Sequence, residues 1–528
     1  MSVPAVEGFY LPRALAARIE TSVHRFGPPH DSIEIRLPVV AATDVITIIE
    51  ALCSARAERL ASRPIATILR PLERVVARHL DKNDRARRDL VRALAVFGRF
   101  SAPMAERALD DAFEPLARGG LRKWIASELG SVSALDQPTP TREGILRRAL
   151  GPEWMLHIYA GNVPTVPVWP LLSAPLLKSA LLAKTSSQEP VLAPMLARAI
   201  AEEDPDLGEC MAVIWWKGGT VELERTAFTN APAILAFGGE SAIANIARQT
   251  RVDAKLVLHG PKVSLGYIGK GALGRSALQG LARQAALDVS LYDQQGCLSP
   301  HAFYVERGGA ATPVDFAGAL GEALEESSVE LPRRELSATE AASVQLYRAQ
   351  AKFEAAGSRG TSVLTSPVGT GWTVISESGA RFEPTPAHRT VRIHAIAGPD
   401  DFERAIAPMV NYVEALALEE SGARRAALAA RFAALGIPRI TWVGSLQRPS
   451  PLGAHGGVPR LLPFVTWSTV DRGKGTAAPR TARPAAPARK PARKPARKRA
   501  SRPSTRRKAS RPSKGGSRKG ARSRRRSR

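Results

Sequence analysis

APAILAFGGESAIANIAR, residues 231–248, reads as a strand, a glycine turn and a helix in quick succession. Ala233 to Phe237 is a short apolar run bounded by Pro232 and by Gly238-Gly239, the pattern of a buried strand. Glu240 to Arg248 then spaces its apolar residues for a helix. The alternation extends both ways. Leu156 to Tyr159, Leu181 to Ala183, Cys210 to Trp216 and Lys255 to Leu258 read as further strands. Pro167 to Ala180 and Pro190 to Glu203 read as helices with proline in the first turn, where its missing N–H is not needed. Strands alternating with helices predict an α/β fold with a parallel sheet covered on both faces. Ligands bind such sheets at the carboxyl ends of strands. Lys184, Gly238, Gly239 and the residues after Leu258 fall at such ends.

Around this stretch the chain divides further. Residues 1–150 read as mostly helical, through Val39 to Leu60 and Arg74 to Phe100, and are expected to pack on the alternating region 151–270. Residues 271–438 are mixed, with a charged helical stretch from Pro313 to Ala356 and a strand from Thr390 to Ala395. Residues 439–471, rich in proline, glycine and aromatics, are expected to wrap back across the fold.

The net charge of +26 misleads. From Arg472 onward lie 24 of the 75 basic residues and no acidic one, which leaves the remainder at +2. Pro-Ala-Arg-Lys occurs three times in succession from Pro487 to Lys498. With so few large apolar side chains this tail cannot offset the entropy of ordering, so it is expected to be a disordered, extended polycation. No run reaches the ~18 apolar residues of a membrane span, and the N-terminus does not read as a signal peptide. Cys53, Cys210 and Cys297 are too few and too scattered for a disulfide framework or a metal cluster. A reducing cytoplasm is the expected location, with nucleoid association through the tail as an extension of it.

Cys297 stands in Tyr292-Asp293-Gln294-Gln295-Gly296-Cys297-Leu298-Ser299-Pro300-His301, a polar, glycine-containing turn after an apolar stretch. A thiolate attacks carbonyl carbon well and leaves again, so a thiol there points to covalent chemistry on an acyl group. Such an enzyme also needs an oxyanion donor, a dinucleotide site and a proton handler.

Further segments set Cys297 in a pattern. They are Tyr159-Ala160-Gly161-Asn162-Val163-Pro164, Lys178-Ser179-Ala180 with Lys184-Thr185-Ser186-Ser187, Ala236-Phe237-Gly238-Gly239, and Leu435-Gly436-Ile437-Pro438-Arg439-Ile440 with Val443-Gly444. In order and spacing, residues 156–467 resemble the acyl-CoA reductase family, known for making the long-chain aldehyde of bacterial luciferase, within the aldehyde dehydrogenase superfamily. The resemblance implies an aldehyde dehydrogenase-like fold. Region 151–270 would be the dinucleotide-binding domain and 271–438 the catalytic domain.

The resemblance also implies roles. Cys297 would carry the acyl group and Asn162 would donate its amide to the oxyanion. Gly238 and Gly239 would let the backbone approach the cofactor. Lys184 would lie near the adenosine ribose. Ser187 stands where many relatives have a ribose-binding glutamate, which favours NADPH over NADH. Leu258 stands about where oxidative relatives carry the glutamate that activates water, so the acyl group should meet hydride. His259 beside it would handle a proton near neutral pH, with His301 a second candidate. Glu383 would touch the nicotinamide ribose. His455-Gly456-Gly457 departs from the family's expected His-Asp-Gly.

The function expected is NADPH-dependent reduction of a long-chain acyl-CoA to fatty aldehyde. The alternatives are an acylating aldehyde dehydrogenase working towards acyl-CoA, and a nucleic-acid-associated protein acting through its tail. A homo-oligomer is implied by resemblance. An acyl-transferring or acid-activating partner enzyme is left open, as is the polyanion, nucleic acid or other, that residues 472–528 would bind.

Overall fold

The computed structural model describes residues 6–26, 33–98, 100–141, 144–357 and 360–471. The basic tail lies outside the described residues.

The alternating region forms a five-stranded sheet from β1 (Trp154–Ile158), β2 (Ala180–Lys184), β3 (Met211–Ile214), β4 (Ala233–Phe237) and β5 (Lys255–His259). Its order is β5-β4-β1-β2-β3, with every pair parallel. Successive side chains of a strand face opposite ways, and the cores show it. Met155, Leu181, Val213 and Leu235 join one apolar core with Leu69 and Leu72 of helix Ile65–Leu80. Leu156, Leu182, Ala212 and Ile234 join another with Val45, Ile48 and Leu52 of helix Ala42–Arg59. Helix Ala42–Arg59 thus packs on one face of the sheet, and on the other face helix Ile65–Leu80 packs on helices Val168–Leu176 and Leu192–Glu203, which meet the strands.

The second sheet holds β6 (Val263–Ile268), β7 (Pro300–Glu306), β8 (Ser362–Thr365), β9 (Thr373–Glu377), β10 (Thr390–Ile396), β11 (Val413–Glu419) and β12 (Ile440–Thr441). Its order is β8-β9-β10-β7-β6-β11-β12, parallel except for the β8–β9 pair. Only Gly260, Pro261 and Lys262 separate β5 from β6. The carboxyl end of the first sheet therefore opens towards the amino end of the second. Among the described residues no helix is long and apolar enough to cross a membrane.

Several expectations need correction. Within the region expected at 151–270, β6 belongs to the second sheet, not the first. The helix expected over 167–180 runs only from Val168 to Leu176. Pro175 and the left-handed Lys178 (φ 56°) end it, and Ala180 already opens β2. Arg74 to Phe100 is not continuous. It breaks after Leu80, and the Asp84 side chain accepts the Ala86 N–H at 2.7 Å to start the next helix. Pro313 to Ala356 splits likewise into Pro313–Glu330 and Ala338–Gly357. The helix Val221–Asn230 and the antiparallel pair Thr21–Phe26 with Ile33–Pro38 were not expected. The returning segment ends in the strand Thr466–Val470, which pairs antiparallel with Leu146–Leu150.

Candidate active site

Cys297 is held by an unusual backbone. Tyr292, Asp293 and Gln294 all take positive φ, 56°, 51° and 63°. Left-handed non-glycine residues cost about 1 kcal/mol or more each, so neighbours must hold the turn. They are a second left-handed triplet, Ala387, His388 and Arg389. The His388 N–H donates to Asp293 O at 3.0 Å, and Arg389 Nη2 donates to Asp293 Oδ1 at 2.9 Å. Gln294 Nε2 donates to the carbonyls of Pro300 (2.7 Å) and Thr390 (2.8 Å). From β6, Ser264 Oγ donates to the Cys297 carbonyl at 2.9 Å. From the loop after β1, Asn162 Nδ2 donates to Gln295 O at 2.7 Å.

Two cavities meet at this thiol. One, of about 160 Å³, is largely apolar, lined by Trp124, Val163, Trp169, Leu235, Val257 and Leu298 among others. The other, of about 810 Å³, is a more polar cleft with Asn162, Lys184, Trp216, Gly238, Gly239 and His259 on its walls. This cleft opens beyond β1 and β4, where the strand order reverses, the usual place for a ligand in such sheets. Cys297 is half-buried and lines both. Burial, then the charge of Glu414, push its thiol up to about 12.

The structure gathers Cys297, Asn162, Lys184, Gly238, Gly239 and His259 about the cleft. The Asn162 amide nitrogen has a second hydrogen beyond the one committed to Gln295. Lys184 Nζ lies 6.0 Å from the Trp216 ring centroid, and burial lowers its pKa. His259 stacks on Phe237 (4.8 Å) and on His455 (4.1 Å), which are 5.6 Å from each other. Burial, with Arg460 and Lys262 nearby, pushes His259 down to about 4. Burial thus favours the neutral imidazole.

Three expected residues lie elsewhere. Ser187 lines neither cavity, and its hydroxyl accepts from Trp215 Nε1 at 3.2 Å. Glu383 pairs with Arg392 at 2.9 Å and lines neither, so a contact with a nicotinamide ribose in this cleft is not supported. His301 sits 2.9 Å from Thr385 Oγ1, also away from both. Other residues at the site were not foreseen. Glu224 lines the cleft, accepting the Gly219 N–H at 2.8 Å. Glu414 lines both cavities. Trp124, from helix Gly120–Leu129, closes part of the apolar one.

Residues 60–467 match the family described as Acyl-CoA reductase (LuxC). The chain belongs to the LuxC acyl-CoA reductase family. It is 29% identical over 364 residues to the long-chain acyl-protein thioester reductase of Photorhabdus luminescens, covering 67% of this chain and 71% of that one. The Vibrio harveyi protein of the same description is 26% identical, covering 72% and 78%. The fold is that of aldehyde dehydrogenases. Aldehyde dehydrogenase 21 from Physcomitrella patens superposes with a TM-score of 0.68 at 10% identity, over 90% of this chain and all of that one. An oxidoreductase from Marinobacter aquaeolei gives 0.68 at 17%, over 88% and 98%.

The cleft of this LuxC-family chain fits a nicotinamide dinucleotide. Gly239 precedes helix Glu240–Gln249 without a side-chain cap, so the first N–H groups are free to meet phosphate oxygens. A Cβ at Gly239 would meet nothing within 4 Å, and one at Gly238 only Ala242 and Ile243. At Gly161 the opposite holds: a Cβ would come within 2.6 Å of Ser186 Oγ and 2.9 Å of Glu189 N. Glycine there lets the loop carrying Asn162 lie against the one following Lys184.

Proposed function

We propose that the protein reduces a long-chain fatty acyl thioester to the aldehyde with NADPH, through an acyl group carried on Cys297. The observation that carries this reading is that one thiol lines both an apolar cavity, suited to an acyl chain, and a cleft suited to a dinucleotide. The apolar walls hold the chain and set the carbonyl at the sulfur. Cys297 exchanges with the thioester sulfur to give an acyl-enzyme. The free Asn162 amide hydrogen meets the oxyanion as it forms. A bound reduced nicotinamide supplies the hydride that turns the acyl thioester into aldehyde and thiolate. The names of the relatives, acyl-protein thioester reductases, favour a substrate delivered as a thioester, whether on CoA or on a partner protein.

Incubation with tetradecanoyl-CoA and NADPH should yield tetradecanal, one per NADPH oxidised, with little tetradecanoic acid. Acid as the main product, or no NADPH oxidation with any chain length by folded protein, overturns the reading.

The preference for NADPH rests on Lys184 in the cleft, since Ser187 lies outside it. A charge-assisted bond is worth about 1.5–3 kcal/mol. Lys184→Met should therefore raise the KM for NADPH by roughly 10- to 100-fold and leave that for NADH within about twofold. Equal losses for both cofactors would place Lys184 on a group the two share.

A further inference from the structure

Glu414 occupies a place that strand periodicity does not predict. Val263 and Ser264 are neighbours on β6, yet they pair with Val413 and Ala415 on β11. Glu414 is the extra residue of a bulge, a device that re-aims a side chain. Its carboxylate turns to the junction of the two cavities. The polar side chains lining both are Cys297, His259, Glu414 and His455.

The carboxylate is sparsely satisfied for so enclosed a group. Glu414 is 4% exposed. Its Oε1 accepts the Gly456 N–H at 2.7 Å and lies 3.9 Å from His455 Nε2. Among the described residues no lysine or arginine is within ion-pair distance of it. Lys262, Arg460 and Arg439 act on it through space and favour the charged form, but burial outweighs them and raises its pKa. His259 and His455, stacked at 4.1 Å beside it, are both kept neutral by burial. The Cys297 thiol, raised by burial and by the Glu414 charge, stays protonated at neutral pH. It needs a proton acceptor at the moment of attack.

We propose that Glu414 is that acceptor: it takes the proton from Cys297 during acylation and returns it to the departing thiol. This rests on the acyl-enzyme reading above. The Cys297 S–H bond breaks as its sulfur bonds to the acyl carbon, and the proton moves to the Glu414 carboxylate. The bond from that carbon to the thioester sulfur breaks, and the departing thiolate takes the proton back. Glu414 ends as it began and no oxidant or reductant is consumed.

The test uses the full-length protein and tetradecanoyl-CoA without NADPH, with rapid quenching and intact-mass measurement of the adduct on Cys297. Glu414→Gln keeps an oxygen for the Gly456 N–H but cannot take a proton. It should slow acylation by about 100-fold or more. Glu414→Asp should recover most of the loss. Iodoacetamide reports separately on Cys297, because it reacts with thiolate already present. In Glu414→Gln alkylation should be as fast as in wild type or faster, since the charge opposing the thiolate is gone. Acylation of Glu414→Gln within threefold of wild type overturns the proposal. So does a parallel fall of acylation and alkylation, which marks a merely structural role. A wild-type protein that gains no adduct overturns the acyl-enzyme reading itself, and this one with it.

Discussion

Cys297→Ala should form no aldehyde and gain no acyl adduct, while melting within about 2 °C of wild type. The substitution removes one sulfur atom from the junction of two cavities. It leaves the Cys297 carbonyl free to accept from Ser264 Oγ as before. The turn before it is held by Asp293 and Gln294, not by the thiol. A change that removes no core contact of consequence is worth about 0.5 kcal/mol or less. Its chemical effect is of another order. Without a nucleophile the acyl group cannot leave its carrier, and Asn162 has no tetrahedral oxyanion to stabilise. Loss of a covalent nucleophile should lower turnover about 10⁴-fold or more. NADPH oxidation and intact mass after tetradecanoyl-CoA measure the two halves of this result. Turnover above about 1% of wild type, or an adduct on the alanine variant, would move the acyl carrier to another residue.

The first sheet was legible because its strands are short apolar runs closed by glycine or proline, and a buried parallel strand needs little more. β6 was missed. It is a short apolar run that follows β5 after only three residues, and no glycine or proline closes it until Gly269. The flanking residues singled out Cys297, and the structure puts it where the two cavities meet. Residues that share its two cavities come from far along the chain, and register places Glu414 among them. Glu414, in Tyr412-Val413-Glu414-Ala415-Leu416, reads as one more residue of a strand. Only the mismatch with Val263 and Ser264 brings it to the thiol. Trp124 had no signal beyond an apolar helix face, and its role depends on how that helix packs. His259 lines the cleft, and its acidity is set by burial, with Arg460 and Lys262 nearby, a tertiary effect. Glu383 was expected by analogy with distant proteins. Here a buried arginine from β10 engages it.

Arg389→Met should destabilise the protein by about 3–5 kcal/mol and depress acylation with it. Arg389 is fully buried, and it donates to Asp293 Oδ1 through Nε (3.2 Å) and Nη2 (2.9 Å) and to Leu331 O at 2.7 Å. Asp293 is 1% exposed. Methionine fills much of the space but leaves a buried carboxylate without its partner, the costly way to break such a pair. Two left-handed triplets also lose a tie that offsets their backbone cost. The loss should depend on pH. Burial already raises the Asp293 pKa in spite of Arg389, and removing the guanidinium raises it further. A carboxyl group with a raised folded-state pKa favours the native state when protonated, and that contribution fades as pH rises through the folded value. The deficit of Arg389→Met against wild type should therefore be largest at neutral pH and shrink as the solution is acidified. Paired thermal melts of the two proteins across that range measure it. A constant deficit, or none, would mean that the Asp293–Arg389 pair does not hold the turn that presents Cys297.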